Sequence, residues 1–215
     1  ITVSLGLAVG GANAATSDDE AALFSSSTFE GLELRNIGPV VRSGRIADLA
    51  IHPEDESIWY VAAGSGGVWK TDNAGTTFDP IFDSEGSYSI GALALDPVNS
   101  NTVWVGTGEH GGGRHFGFGD GIYKSTDGGA NWRNMGLKDS QHIGEILIHP
   151  ENPDVVYVAS QGPLWSPGGD RGFFKSTDGG QTWSEPWTMV ENTGQENVMS
   201  ASFLKLDSKE LLLFY

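Results

Sequence analysis

The chain has 215 residues, enough for one or two ordinary domains, and its 12 basic and 28 acidic residues give a formal charge of −16. Such a charge repels phosphate backbones and anionic lipid, so nucleic acid is excluded as an expected partner. Cysteine is absent, which rules out disulfides and thiolate metal sites.

Ile1 to Ala14 form an apolar stretch closing on Ala12-Asn13-Ala14, a small-x-small pattern of the kind that precedes signal-peptidase cleavage. Residues 1–14 are therefore expected to be part of a signal peptide directing export, and they are too short to span a bilayer, so no membrane insertion is expected. Residues 15–28 are polar and acidic and read as a flexible linker. The remainder, 29–215, is rich in turns: 31 Gly and nine Pro in the chain punctuate short runs that carry seven Trp, five Tyr and ten Phe, an all-β signature.

Within that segment a unit recurs. Ile46 to Tyr60, Ile90 to Trp104 and Ile143 to Tyr157 each read as an apolar strand, a tight turn and a second strand ending in an aromatic. His52, Asp96 and His149 stand eight residues before Tyr60, Trp104 and Tyr157, and each is followed by a proline that stops the first strand. Each unit closes on a polar turn: Thr71, Asn73, Gly75 and Phe78; then Ser125, Asp127, Gly129 and Trp132; then Ser176, Asp178, Gly180 and Trp183. The final aromatics are 54 and then 51 residues apart.

Four short antiparallel strands in about fifty residues describe one propeller blade. The expected fold is all-β: a partial β-propeller of four-stranded antiparallel blades, about three blades plus the start of a fourth. Asp207 to Tyr215 repeats the eight-residue interval, which makes Ala201–Leu206 and Leu211–Tyr215 the first two strands of that fourth blade. The alternative there is a helix, favoured locally by Lys209 to Leu213. A blade cannot cover both of its apolar faces alone, so the expectation is the N-terminal part of a larger propeller.

At the three turns the sequence resembles the Asp-box, or BNR-repeat, family, whose motif is S/T-x-D-x-G-x-T-W. The second and third turns fit it, while the first carries Asn73 and Phe78 in place of Asp and Trp. Physically the motif is a hairpin staple, with a short carboxylate accepting backbone N–H groups, glycine at positive φ and the ring packed beneath. The longer pattern, Arg42-Ser43-Gly44-Arg45, Gly66 to Lys70 and Gly106 to Glu109, is similar to sortilin-type bacterial BNR proteins often labelled glycosyl hydrolases.

The resemblance implies two kinds of function, an exported propeller that binds a protein, peptide or glycan, and, as the alternative, a glycoside hydrolase whose carboxylates lie partly in other blades. A xyloglucanase-like pattern would place a catalytic aspartate where Gly64 stands, a departure that argues against xyloglucanase chemistry unless another blade carries a different pair, and a sialidase would need three arginines and a Tyr/Glu pair, for which Arg42 and Arg45 offer only a loose beginning. The ligand-binding candidates are Arg42, Arg45, Glu109, His110, Arg114, His115, Asp120, Trp165 and Arg171. Most belong to a glycine-rich insertion, Glu109 to Asp120, expected to be a mobile loop carrying acid, base and aromatic groups. Its two histidines and two carboxylates follow no recognised zinc spacing, so neither metal nor other cofactor is expected.

Overall fold

The computed structural model describes residues 45–110 and 116–187 and two strands at 202–205 and 211–214. Contacts divide the chain into units 1–37 and 38–215, and every described residue lies in the second. The signal-peptide and linker segments, Arg42, Arg114 and His115 lie outside the described residues.

All regular structure among the described residues is β. The first sheet runs β1 (Ile46–Ile51), β2 (Trp59–Ala63), β3 (Gly67–Thr71) and β4 (Asp79–Pro80), in chain order and antiparallel. The second repeats it with β5 (Ile90–Leu95), β6 (Val103–Thr107), β7 (Ile122–Ser125) and β8 (Arg133–Asn134). The third has β9 (Ile143–Ile148), β10 (Val156–Ser160) and β11 (Gly172–Ser176), and a single bridge from Phe173 to Trp187 stands in place of its fourth strand. β12 (Ser202–Lys205) and β13 (Leu211–Phe214) form an antiparallel pair, so this segment is strand where a helix was the alternative.

The sheets stack as blades because each central strand is apolar on both faces. In β6, Val103 and Val105 join Tyr60, Val68 and Ile90 in one core, while Trp104 on the opposite face joins Ile143, Val156 and Val158 in a second. Each fully buried valine is worth about 1.5–3 kcal/mol relative to exposure. The first strands approach closely, β5 packing against both β1 and β9. Their free edges are capped by carboxylates: Asp48 accepts the N–H groups of Leu49 and, across the blade boundary, Leu93, each at 2.8 Å. On β9, Glu145 accepts the Ile146 N–H at 3.3 Å.

The polar turns are built alike. Ser125 Oγ donates to Asp127 Oδ1 (2.8 Å) and accepts from Gly129 N (2.9 Å), while Asp127 Oδ1 also accepts from Asn131 N (2.9 Å). Ser176 and Asp178 repeat this with Gly180 and Thr182. The first turn keeps the network despite Asn73 by reversing one bond. Thr182 Oγ1 donates to Asp178 Oδ2, whereas Asn73 Nδ2 donates to Thr77 Oγ1 at 2.8 Å.

The tryptophans depart from the expectation that the ring merely packs beneath its own turn. Trp132 Nε1 donates to Ile81 O (2.6 Å) and Trp183 Nε1 to Met135 O (2.7 Å), each acceptor belonging to the segment that follows the fourth strand of the preceding blade. The staple thus ties blade to blade as well as strand to strand. Gly180 makes room for it, since a Cβ there would lie 2.4 Å from Trp104 Cη2 and its φ is +88°.

Candidate functional site

The polar turns share one end of the blades with the β1–β2, β5–β6 and β9–β10 turns, to which they bond through Ala74 N, Gly128 N and Gly179 N. The opposite end carries the β2–β3, β6–β7 and β10–β11 connections and the links between blades. Every described ligand-binding candidate lies at this end.

A repeated backbone contact organises it. The residue before each first strand accepts the N–H of the residue after each second strand: Arg45 O from Gly64, Ser89 O from Gly108 and His142 O from Gln161. Repeat symmetry therefore sets Arg45, Ser89 and His142 at equivalent places, and Glu109 follows the second of the paired positions.

Glu109 is 3% exposed. Its N–H donates to Ser89 Oγ (3.0 Å), and its carboxylate reaches back to the first blade. A Cβ on Gly64 would fall 2.0 Å from Glu109 Oε1, so the carboxylate fills the space that a side chain at position 64 would take. Arg45 Nε lies 2.9 Å from the same oxygen, an ion-pair distance, but off the N–H direction, and Oε1 accepts no hydrogen bond among the described residues. Burial pushes the Glu109 carboxyl above the usual carboxylate range, outweighing the opposing pull of Arg45 and His110. The Arg45 guanidinium also sits over the Phe116 ring, 4.7 Å from its centre.

His142 is fully buried behind Glu109. Its Nδ1 is 2.8 Å from Glu109 O; a carbonyl only accepts, so Nδ1 carries the proton, and Nε2 is a buried acceptor with no partner among the described residues. Burial pushes this imidazole down and keeps it neutral. His110 Nδ1 donates to Gly91 O at 3.0 Å by the same reasoning.

The Glu109–Asp120 insertion departs from a free loop where it is described. Ser87 Oγ donates to Phe118 O (2.8 Å), Ser89 Oγ lies within donating distance of the Gly117 and Gly64 carbonyls (2.9 and 3.0 Å), and Gly119 N donates to Gln141 O (2.7 Å). Asp120 is committed internally, accepting from Tyr123 OH at 2.6 Å and bonding through its own N–H to Thr107 Oγ1 at 2.9 Å. Arg171 is spent on its own loop, donating to the Pro163 and Ser166 carbonyls, while Trp165 projects into solvent. Of the candidates, the structure brings together Arg45, Glu109 and His110. It adds His142, Ser87 and Ser89, which the alignment of the repeats could have marked: Ser89-Ile90-Gly91 and His142-Ile143-Gly144 occupy the same place in successive blades.

No protein-family model matches the chain. It is 28% identical over 155 residues to a xyloglucanase of Hypocrea jecorina, covering 66% of this chain and 18% of that protein. A xyloglucanase of Paenibacillus sp. is 22% identical over 191 residues, covering 80% and 18%. Among solved structures, an ancestral GH74 enzyme aligns with a TM-score of 0.52 at 20% identity, over 73% of this chain and 20% of that one. The fold is a β-propeller. An auxiliary nutrient binding protein from Bacteroides thetaiotaomicron aligns with the same TM-score at 11% identity, covering 80% and 36%, a likeness of fold alone. The chain spans about a fifth of the length of the curated relatives it matches.

Proposed function

We propose that this chain is part of an exported, carbohydrate-active propeller of glycoside-hydrolase type, acting at the loop end of the blades, with Glu109 as the carboxyl that these blades contribute. The observation carrying the proposal is the position of Glu109. The xyloglucanase-like pattern calls for a carboxylate at the place of Gly64, and here the Glu109 carboxylate fills the volume a side chain at Gly64 would take. Burial shifts the carboxyl toward its protonated form, the direction a general acid needs.

Glycoside cleavage takes a second carboxylate across the sugar, about 5 to 9 Å away. In this reading other blades of the whole protein supply it. The similarity to xyloglucanases supports this function over the purely binding one, which would use the same loop end but leaves the buried acid unexplained.

The test is reducing-sugar release from xyloglucan by the whole protein and its Glu109→Gln variant. The expected result is cleavage by the unaltered protein and a loss of at least about a hundredfold in the variant, the usual contribution of a positioned acid. Equal rates in the two proteins would remove Glu109 from the chemistry, and no cleavage by the unaltered protein would remove the hydrolase reading.

A further inference from the structure

Glu109 is gripped from the same position in three successive blades. Arg45, Ser89 and His142 each stand one residue ahead of a first strand and make the same backbone contact, yet their side chains converge on this one residue. Arg45 Nε stands 2.9 Å from the carboxylate, Ser89 Oγ accepts the Glu109 N–H (3.0 Å), and His142 Nδ1 donates to the Glu109 carbonyl (2.8 Å). Both backbone polar groups of the acid are thus committed to side chains, one from the second blade and one from the third.

The two backbone clamps are themselves fixed. Ser89 is fully buried, and its hydroxyl lies 3.0 Å from Gly64 O, so it touches both the acid's own N–H and the residue whose missing side chain admits the carboxylate. His142 is fully buried, its N–H bonded to Ser140 O (2.6 Å) and its carbonyl to Gln161 N (2.9 Å), while Phe118 meets the ring edge-on with centres 5.6 Å apart. Packing alone does not call for a histidine here. Nε2 is buried with no hydrogen-bond partner among the described residues, an unfavourable burial that an apolar side chain of similar width would avoid. What the imidazole adds over leucine is the Nδ1–H, and its acceptor is the Glu109 carbonyl. Burial keeps the ring neutral, outweighing that carbonyl, which favours the charged form.

We infer that His142 is a positioning residue for Glu109: its Nδ1–H, acting with the Ser89 hydroxyl, fixes the acid's backbone so that its carboxyl crosses the blade boundary into the space left by Gly64. A positioned group is effective only while its supporting contacts hold it, so the third blade governs an acid that the second blade carries and the first receives. The inference rests on the hydrolase reading of Glu109 and extends it to a residue that touches no substrate.

Three variants of the whole protein separate the parts of the ring. His142→Asn keeps a donor at the place of Nδ1, His142→Gln offers one only at the place of Nε2, and His142→Leu keeps the width with neither. After a thermal melt confirms folding, the Glu109 carboxyl is titrated by NMR of protein with isotope-labelled glutamate carboxyls, its signal assigned by its loss in Glu109→Gln. The expected midpoint stays raised in His142→Asn and falls toward the ordinary glutamate range in His142→Leu and His142→Gln, because a carboxyl released to solvent loses the burial that raises it. In xyloglucan cleavage kcat should fall about a hundredfold in those two variants at an unchanged KM, the scale of a misplaced catalytic group. Ser89→Ala, which removes the acceptor of the Glu109 N–H, should move the midpoint in the same direction. An unmoved midpoint in folded His142→Leu or His142→Gln overturns the inference, as does an equal fall in His142→Asn; if the leucine variant does not fold, the asparagine and glutamine variants decide. The titration needs no substrate, so an unaltered protein that cleaves nothing overturns the hydrolase reading while the midpoints still decide the clamp.

Discussion

Replacing Trp183 with phenylalanine isolates one of the hydrogen bonds between the second and third blades. The substitution keeps an aromatic ring against the core formed by Trp104, Ile143 and Val158 but removes the indole N–H that donates to Met135 O at 2.7 Å. Met135 is 9% exposed, so its carbonyl has little water to turn to, and an unsatisfied acceptor there costs about 1–3 kcal/mol. Loss of the second indole ring removes further buried apolar area, about 1 kcal/mol at the usual coefficient. The sum, about 2–4 kcal/mol, should appear in urea titration as a lowered midpoint at an unchanged slope. Phe78 is the internal comparison, a natural phenylalanine at the same place in the first turn, 37% exposed, so Phe78→Trp should change the midpoint little. A Trp183→Phe midpoint indistinguishable from the unaltered protein would show that the cross-blade bond contributes nothing and that the turns act only within their own hairpins.

The turn carboxylates give a prediction in pH. Their hydrogen bonds, chiefly from Asn131 to Asp127 and from Thr182 to Asp178, hold both at about 2, below the ordinary 3.8. A depressed folded-state value means stabilisation that is fully present above about 3.8 and is lost as pH falls toward about 2. The double variant Asp127→Asn, Asp178→Asn copies the arrangement already present at Asn73, so thermal melts from pH 5 to 2 should show its stability falling less steeply than that of the unaltered protein; parallel curves would refute the assignment. Asp48→Ala removes the acceptor of two edge N–H groups, Leu49 and Leu93, and should cost about 1.5–3 kcal/mol in the same urea assay. It should also bring the Glu145 carboxyl down, because Asp48's charge adds to burial in holding it up; a carboxyl titration followed by NMR that leaves Glu145 unmoved would refute that coupling.

What repeats was legible in the sequence and what crosses between repeats was not. The eight-residue interval and the three polar turns are local, so strands and staples follow from spacing alone. The acceptor of each tryptophan lies 51 or 48 residues away in the preceding blade, and no local pattern points to it. The candidate site divides in the same way. Glu109 stood out by chemistry, but its burial depends on Gly64, 45 positions earlier. Asp120 and Arg171 have the residue types of ligand contacts and are absorbed by Tyr123 and by the carbonyls of residues 163 and 166. His142 gives no local signal, because a histidine ahead of a strand is unremarkable until the repeats are set in register with Arg45 and Ser89.

That register also accounts for why the acid sits where it does. Each first strand carries a bulge at its second residue, Ala47, Gly91 and Gly144, so the residue ahead of the strand turns its carbonyl to the end of the neighbouring strand. Three equivalent backbone contacts result, and what distinguishes them is the side chains of Arg45, Ser89 and His142. In the second blade Gly108, at φ +83° and with Gln141 O 1.7 Å from where a Cβ would be, turns the chain so that Glu109 leaves its own blade and crosses to the first. Gly64 then has to lack a side chain for the carboxylate to arrive. The two glycines are thus a matched pair, one releasing the acid from its blade and the other admitting it. Restoring a side chain at position 64 would return Glu109 to solvent and lower its carboxyl toward the ordinary range, because burial is what raises it.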